Sequence, residues 1–422
     1  MWIEQFLLIV YILLTGWSIS FIPFVRKARL PVNYVRSLYF FKILVGLICA
    51  FYFSNISTDN DYLTFNEEGK LQYELLVSDP VLFFTDFKAD IQAYGLGRVF
   101  ETSDSFWGYL RFHLLHKIIG VLNLMTQGNF YFNSVIFSSL MFLAHLAFFR
   151  IFSSIYPSRR FVAMLTCLFL PSTLLYTSCF HKDGMVFFAL GFVSFSFYKL
   201  LCVSSGRRFL HLATMGAGFI ILFLFRNYVL VALLPAMTLA LVSKSFPHQK
   251  LAAVFITYAI FITVFFVSSF GPLDLPAAVV QRKADFASLR GGKTNIAMSE
   301  LHPDVKSFIQ NFPEALNHSL LRPYVWEFSQ LSVVLTALEL LVYYLLFALF
   351  IVFGLRNQGS LHPFNIFGLA LFFNMMLIIG YTIPNIGAIV RYRSIFWIFL
   401  LTPVICNINF QRITRYFRPA TT

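Results

Sequence analysis

Acidic residues are scarce in this chain. Asp and Glu together number 19 in 422 residues, against 32 Lys and Arg. Charged residues of both signs make up 12% of the sequence, about half the share of about 25% found in soluble domains. That scarcity excludes an ordinary water-soluble fold. Cysteine is also sparse: Cys49, Cys167, Cys179, Cys202 and Cys406 lie in or beside apolar runs without metal-type spacing. They read as small buried residues, and no disulfide framework is indicated. The N-terminus lacks the basic region of a signal peptide and carries Glu4 there instead, so the first apolar run is expected to remain as a helix. No glycine loop of nucleotide type is present, because Arg290-Gly291-Gly292-Lys293 lacks strand and helix context and reads as a flexible loop. No serine-nucleophile elbow occurs either. ATP-driven transport by this chain alone is therefore disfavoured. The net charge of +13 has no continuous basic face interleaved with aromatics, which argues against nucleic acid as a partner.

What fills the chain is apolar. Hydrophobic residues make up 58%, Phe alone contributes 54 residues, and the mean hydropathy is +0.74. The apolar runs have membrane-crossing lengths of roughly 17–25 residues. The pattern predicts an all-α polytopic bundle of about eleven transmembrane helices, at 2–24, 38–56, 130–152, 161–178, 185–202, 210–225, 229–242, 251–270, 331–354, 364–383 and 394–408. Basic residues collect at alternate ends: Arg26, Lys27, Arg29 and Arg36, then Arg159 and Arg160, Arg207 and Arg208, Lys244 and Lys250, Arg356, and finally Arg412, Arg415 and Arg418. Short basic loops are cytoplasmic. The expected topology therefore has the N-terminus outside and the C-terminus in the cytoplasm, within one integral membrane domain covering 1–422. No symmetry between halves is visible, so an inverted-repeat transporter gains no support.

Two long segments, 57–129 and 271–330, then fall on the outer face. In the first, 106–125 carries Arg111, His113, His116 and Lys117 along an otherwise apolar helical pattern. Charges in mid-membrane cost roughly 2.5–3.5 kcal/mol each on insertion scales, so this stretch reads as an amphipathic interfacial or re-entrant helix. His113 and His116 are spaced to share a helix face, but no third metal ligand stands near them in sequence.

The same topology gathers Asp59, Asp61, Lys182, Asp183, Arg226, Arg322, Arg391 and Arg393 on the outer face. Arginine there serves either as a lipid-headgroup anchor or as a grip on phosphate through its planar fork of donors. Lys182 is a further phosphate ligand beside Arg226, or else part of a local helix cap with Asp183, whose carboxylate suits a helix N-terminus. Asp59 and Asp61 are the candidate catalytic residues. A carboxylate near cations stays ionised and can take a proton from an acceptor hydroxyl. As hard oxygen ligands the pair could also hold a divalent cation such as Mg or Mn. The plainer reading is an Asx-type turn that caps the next helix.

The acidic pair Asp59-Asn60-Asp61 after an early span, the long first outer segment and the outer arginines resemble the polytopic GT-C-class membrane glycosyltransferases. The resemblance implies a polyprenyl-phosphate-linked sugar as donor, a glycan or lipid acceptor, an acidic residue of an early outer loop in catalysis, and cell-envelope polysaccharide biosynthesis at a bacterial inner membrane. Here the pair follows the second span, whereas the family usually has it after the first. The arginine-rich loops look equally similar to bacterial polymerases and ligases of lipid-linked polysaccharide, in which arginines neutralise the diphosphate. A transporter or flippase for an anionic lipid-linked sugar is the alternative from another class. It calls for ionisable groups along the whole path, whereas the charges here gather at one face.

Overall fold

The computed structural model describes residues 2–57, 60–97, 99–100, 105–203, 206–271, 274–288, 294–327, 331–354 and 361–416. In chain order the helices are α1 (Trp2–Ser18), α2 (Pro23–Arg26), α3 (Val32–Asn55), α4 (Asp61–Ser78), α5 (Pro80–Thr85), α6 (Phe87–Tyr94), α7 (Phe106–Thr126) and α8 (Phe130–Ile155). They continue as α9 (Arg160–Phe169), α10 (Pro171–Tyr176), α11 (Lys182–Cys202), α12 (Arg208–Ser245), α13 (Lys250–Val267) and α14 (Leu275–Ser288). The last are α15 (Val305–Leu316), α16 (Leu331–Phe353), α17 (Pro363–Thr382), α18 (Ile386–Ser394), α19 (Trp397–Cys406) and α20 (Phe410–Tyr416). Among the described residues the only β-type pairing is two isolated bridges, Asn295 with Asn385 and Gly354 with Ile408.

Among the described residues, 8 helices are long and apolar enough to cross a membrane, or up to 9 if α18 and α19, bent by 59°, form one broken span. The chain is thus an all-α integral membrane protein. Such spans must be helical because lipid offers no partner to an unsatisfied backbone group. The count is lower than the about eleven spans expected from apolar length alone, and backbone breaks account for the difference. Pro171 divides the expected span at 161–178 into α9 and α10, since it supplies no N–H to a continuing helix. The spans expected at 210–225 and 229–242 lie on either side of a kink at Arg226, where the backbone is non-helical (φ −151°, ψ 72°) inside the 38-residue α12, which enters the count of 8 once. The last expected span is the bent α18–α19 pair.

The chain divides into two compact units. The first comprises 1–150, 173–197 and 205–230. Within it α4 lies against α7 at close range: a Cβ on Gly69 would meet Ile119 Cγ2 at 2.3 Å. The foot of this pair is tied to the start of α8 by a buried polar knot. Asn133 Nδ2 donates to Asn66 Oδ1 (3.0 Å) and Asn123 Oδ1 (2.9 Å), while Thr126 donates to Asn133 Oδ1 (2.8 Å). Asp86 takes bonds from His113 and Lys117 of α7, both at 2.8 Å. Burial alone would raise the Asp86 carboxyl, but these two donors hold it below its ordinary value. Lys42, fully buried in α3, directs its ammonium at the carbonyls of Leu174 (3.2 Å) and Thr177 (2.9 Å) and the hydroxyls of Thr177 (2.8 Å) and Ser178 (2.9 Å). A cation at the last turn of α10 satisfies carbonyls that the helix leaves unpaired.

The second unit comprises 151–172, 198–204 and 231–422. Its core is aromatic: Phe364 meets Phe152 and Phe367, and Trp397 meets Tyr343 and Phe372. Tyr156 accepts from Asn365 (2.6 Å) and Asn407 (3.3 Å). Glu339, on α16, accepts from the Ser172 backbone N–H (2.9 Å) and from the Tyr343 hydroxyl.

Candidate functional site

In the first unit, three breaks in regular structure bring chemistry-bearing residues to one place. The first is the start of α4. Asn60 caps this helix, its Oδ1 accepting from the N–H groups of Tyr62 (2.9 Å) and Leu63 (3.1 Å). The capping role that the sequence offered to the acids therefore falls to the residue between them. Asp61 occupies the first helical position with a side chain 57% exposed, and its Oδ2 lies 3.6 Å from His181 Nε2. Asp59 lies outside the described residues.

The second break is the turn before α11. His181 is buried against the rings of Tyr62 (5.0 Å) and Phe65 (5.5 Å). Its Nδ1 is 3.0 Å from Asp183 Oδ2 and 3.2 Å from the Asp183 backbone N–H. The imidazole thus stands between two carboxylates. With the proton on Nδ1 it donates to Asp183, and Nε2 offers a lone pair on the Asp61 side. With the proton on Nε2, Nδ1 accepts the Asp183 backbone N–H. The geometry serves both tautomers, as a proton relay requires. Gly184 follows directly, where a Cβ would meet the Phe137 ring at 2.2 Å. Close approach of α11 to α8 needs glycine at that point.

The third break is Arg226 in α12. Its Nη2 donates to Asp183 Oδ1 at 2.7 Å and its Nη1 to the Tyr228 hydroxyl at 3.1 Å. The guanidinium is nearly buried and pairs with a carboxylate that is itself 3% exposed. Asn227 Nδ2 (2.5 Å) and Arg111 Nη2 (2.9 Å) both donate to the Val99 carbonyl. They bind the stretch before α7 to the same region.

Lys182 completes the group. It is the first residue of α11, and its side chain is buried. Its Nζ lies 2.7 Å from the Phe112 ring centroid and 5.5 Å from that of Phe65. Among the described residues no oxygen accepts a hydrogen bond from it. Aromatic faces attract a cation, but they do not replace the oxygen acceptors that its N–H donors can use. The field of this ammonium reaches α7: burial, then the charges of Lys182 and His113, push His116 down to about 4.

The sequence also named Arg322, Arg391 and Arg393, all in the second unit. Arg393 is 1% exposed, and its Nη1 donates to the carbonyls of Ser319 (2.7 Å) and Arg322 (2.5 Å). It clamps the π-helical turn Asn317–Leu321. Arg322 pairs with Glu327 (Nε to Oε1, 3.2 Å) and lies over Tyr324. Arg391, at the last turn of α18, lies over Tyr392 at 5.4 Å. The structure therefore brings Asp61, Lys182, Asp183 and Arg226 together within one unit and groups the three arginines within the other.

Sequence reasoning gave His181, Arg111 and Phe112 no part in the site. The histidine was visible between the apolar run and Lys182, but its two carboxylate neighbours come from tertiary contact and a turn. Among the described residues, no group of three His, Cys, Asp or Glu is placed to hold one metal ion. No family model matches this chain, and no match to it is found among curated proteins or solved structures.

Proposed function

We propose that the chain is a membrane glycosyltransferase acting on a polyprenyl-phosphate- or diphosphate-linked sugar at the outer face of a bacterial inner membrane, in cell-surface glycan synthesis. The observation that carries this reading is the Lys182 ammonium, buried on aromatic rings and without a hydrogen-bond acceptor among the described residues. Burying a charge without a hydrogen-bonded partner is costly, and residues that break stability rules in this way mark functional sites. A phosphate oxygen is the acceptor this ammonium lacks, and Arg226 stands in the same cluster with its fork oriented by Asp183.

In this reading Asp61 takes the proton of the acceptor hydroxyl, directly or through His181. The hydroxyl oxygen attacks the anomeric carbon, and the bond from that carbon to the phosphate oxygen breaks. The electron pair leaves with the phosphate, where Lys182 and Arg226 balance the added charge. Phe112 and Phe65 hold Lys182 in place, and the burial of its side chain strengthens its pull on the leaving group. Arg322, Arg391 and Arg393 are assigned to the second unit's own architecture and not to this step. Asp59 and Asp61 keep the option of a Mg or Mn ion, but no step depends on one. α7 is read as the interfacial helix that presents Phe112 and Arg111 to the lipid-linked donor. A repeat-unit polymerase or ligase would run the same bond exchange with a longer acceptor.

The test is complementation of a strain lacking the gene. Asp61→Asn and Lys182→Met are each expected to block glycan assembly at normal protein levels. Intact assembly in both would overturn the reading.

A further inference from the structure

The second unit contains a slot of about 450 Å³ between α12, α13 and α17, within the range of roughly 300–1,000 Å³ usual for ligand sites. Its walls are apolar, formed by Leu239, Val254, Ile366, Leu369, Phe373 and Leu377. From Ile366 to Leu377 the helix rise makes it about 16 Å long. Leu251 and Phe373 are exposed on its rim, so in a bilayer the slot opens toward lipid.

Two polar groups in its wall lack full partners. Ser243 is 1% exposed, and its hydroxyl has no hydrogen-bond partner among the described residues. Lys250, the first residue of α13, donates one bond, to the Leu361 carbonyl at 2.8 Å, out of the three an ammonium can make. By contrast, the Tyr258 hydroxyl donates to Asn374 Oδ1 (2.8 Å) and Asn374 Nδ2 to the Ala232 carbonyl (2.9 Å), so that pair asks for no ligand. The joint between α12 and α13 reads Lys244-Ser245-Phe246-Pro247-His248-Gln249-Lys250, with no acid to offset its charge.

A dry apolar trough accepts hydrocarbon, and a basic end with an unpartnered hydroxyl accepts a negative headgroup and an ester. We propose that this slot binds an anionic glycerophospholipid. One acyl chain lies along α17, the phosphate is at Lys250, and Ser243 donates to the ester carbonyl. Basic pockets between transmembrane helices take anionic lipid headgroups by this combination. The site is separate from the cluster around Lys182 and does not rest on the transferase reading.

The experiment is native mass spectrometry of the purified full chain, delipidated and then offered phosphatidylglycerol and phosphatidylcholine with identical chains. The wild type is expected to retain phosphatidylglycerol preferentially. Val254→Trp, at a lipid-facing rim position 36% exposed, fills the slot and should remove that retention. Lys250→Gln should cut the preference by about tenfold, the equivalent of one charge-assisted bond, and thermal melting of both variants checks that the fold persists. Equal retention of the two lipids by the wild type, or wild-type retention of phosphatidylglycerol in Lys250→Gln, overturns the proposal.

Discussion

Asp183 and Arg226 face each other across a 2.7 Å charge-assisted bond, one at the first turn of α11 and the other at the break in α12. Neither side chain has appreciable access to water. Removing one member of such a pair leaves the other charge buried and uncompensated, at a cost of about 3–5 kcal/mol. Asp183→Leu is therefore expected to lower thermal stability sharply in detergent. Adding Arg226→Met to it should recover a large part of the loss, because replacement of both partners removes both charges. A double variant no better than the single would show that the pair is not the unit of stability.

Lys42 and Lys182 are both buried in the first unit, and the same substitution should act on them in opposite ways. Lys42→Met strips the Thr177 carbonyl of its donor and removes one of the donors to the Leu174 carbonyl. An orphaned group costs about 1–3 kcal/mol, so the melting temperature should fall. Lys182→Met removes a charge seated on aromatic rings, with Asp61, Asp183, Arg226 and Arg111 near enough to act on it but no oxygen hydrogen-bonded to it among the described residues. Stability should hold or rise, while transfer falls by about 10²–10³-fold, as when one oxyanion ligand is lost. Equal destabilisation by both changes would mean that Lys182 is an ordinary structural residue.

At the start of α4 the two readings of the acidic stretch separate by residue. Asn60→Ala removes the cap and should cost about 1 kcal/mol with little effect on chemistry. Asp61→Asn touches no capping bond and should leave the melting curve in place while transfer is lost. Circular dichroism melts beside a transfer assay distinguish the two.

His116 supplies a pH dependence. Its folded-state value is about 4 against about 6.5 for an unperturbed imidazole. Between these values the unfolded chain binds the proton and the folded chain does not. Stability from this group is present above about 6.5 and is lost as pH falls toward 4. His116→Gln, which cannot titrate, should flatten the melting temperature against pH over that window. An unchanged slope would assign the effect to other groups.

Composition and run length made the membrane class legible, because no soluble core could hide so much apolar surface. The run lengths of separate spans were legible as well, but not their breaks. Pro171 marked one interruption openly. The break at Arg226 was visible as a charge between apolar runs, but its side-chain partners, Asp183 and the Tyr228 hydroxyl, were not. Lys42 and Glu339 passed unnoticed inside apolar runs, although an ionisable residue within a span is itself a signal. Their partners are backbone groups freed at the two ends of the short α10: the Ser172 N–H at its start and the Leu174 and Thr177 carbonyls at its end. Of the candidate site, the residue types at 61, 182, 183 and 226 could be read from sequence. The central position of His181 and the aromatic seat of Lys182 arise only from folding. The Ser319 and Arg322 carbonyls that take Nη1 of Arg393 are likewise partners that the sequence does not show.

The most direct test of the central claim is equilibrium binding of a polyprenyl diphosphate probe, farnesyl diphosphate, to the purified full chain and to Lys182→Met. The account predicts saturable, salt-sensitive binding to the wild type. It predicts at least about tenfold weaker binding to the variant, corresponding to one lost charge-assisted contact, with unchanged melting. Equal affinity in the two proteins would contradict the assignment of Lys182 as the ligand of the phosphate.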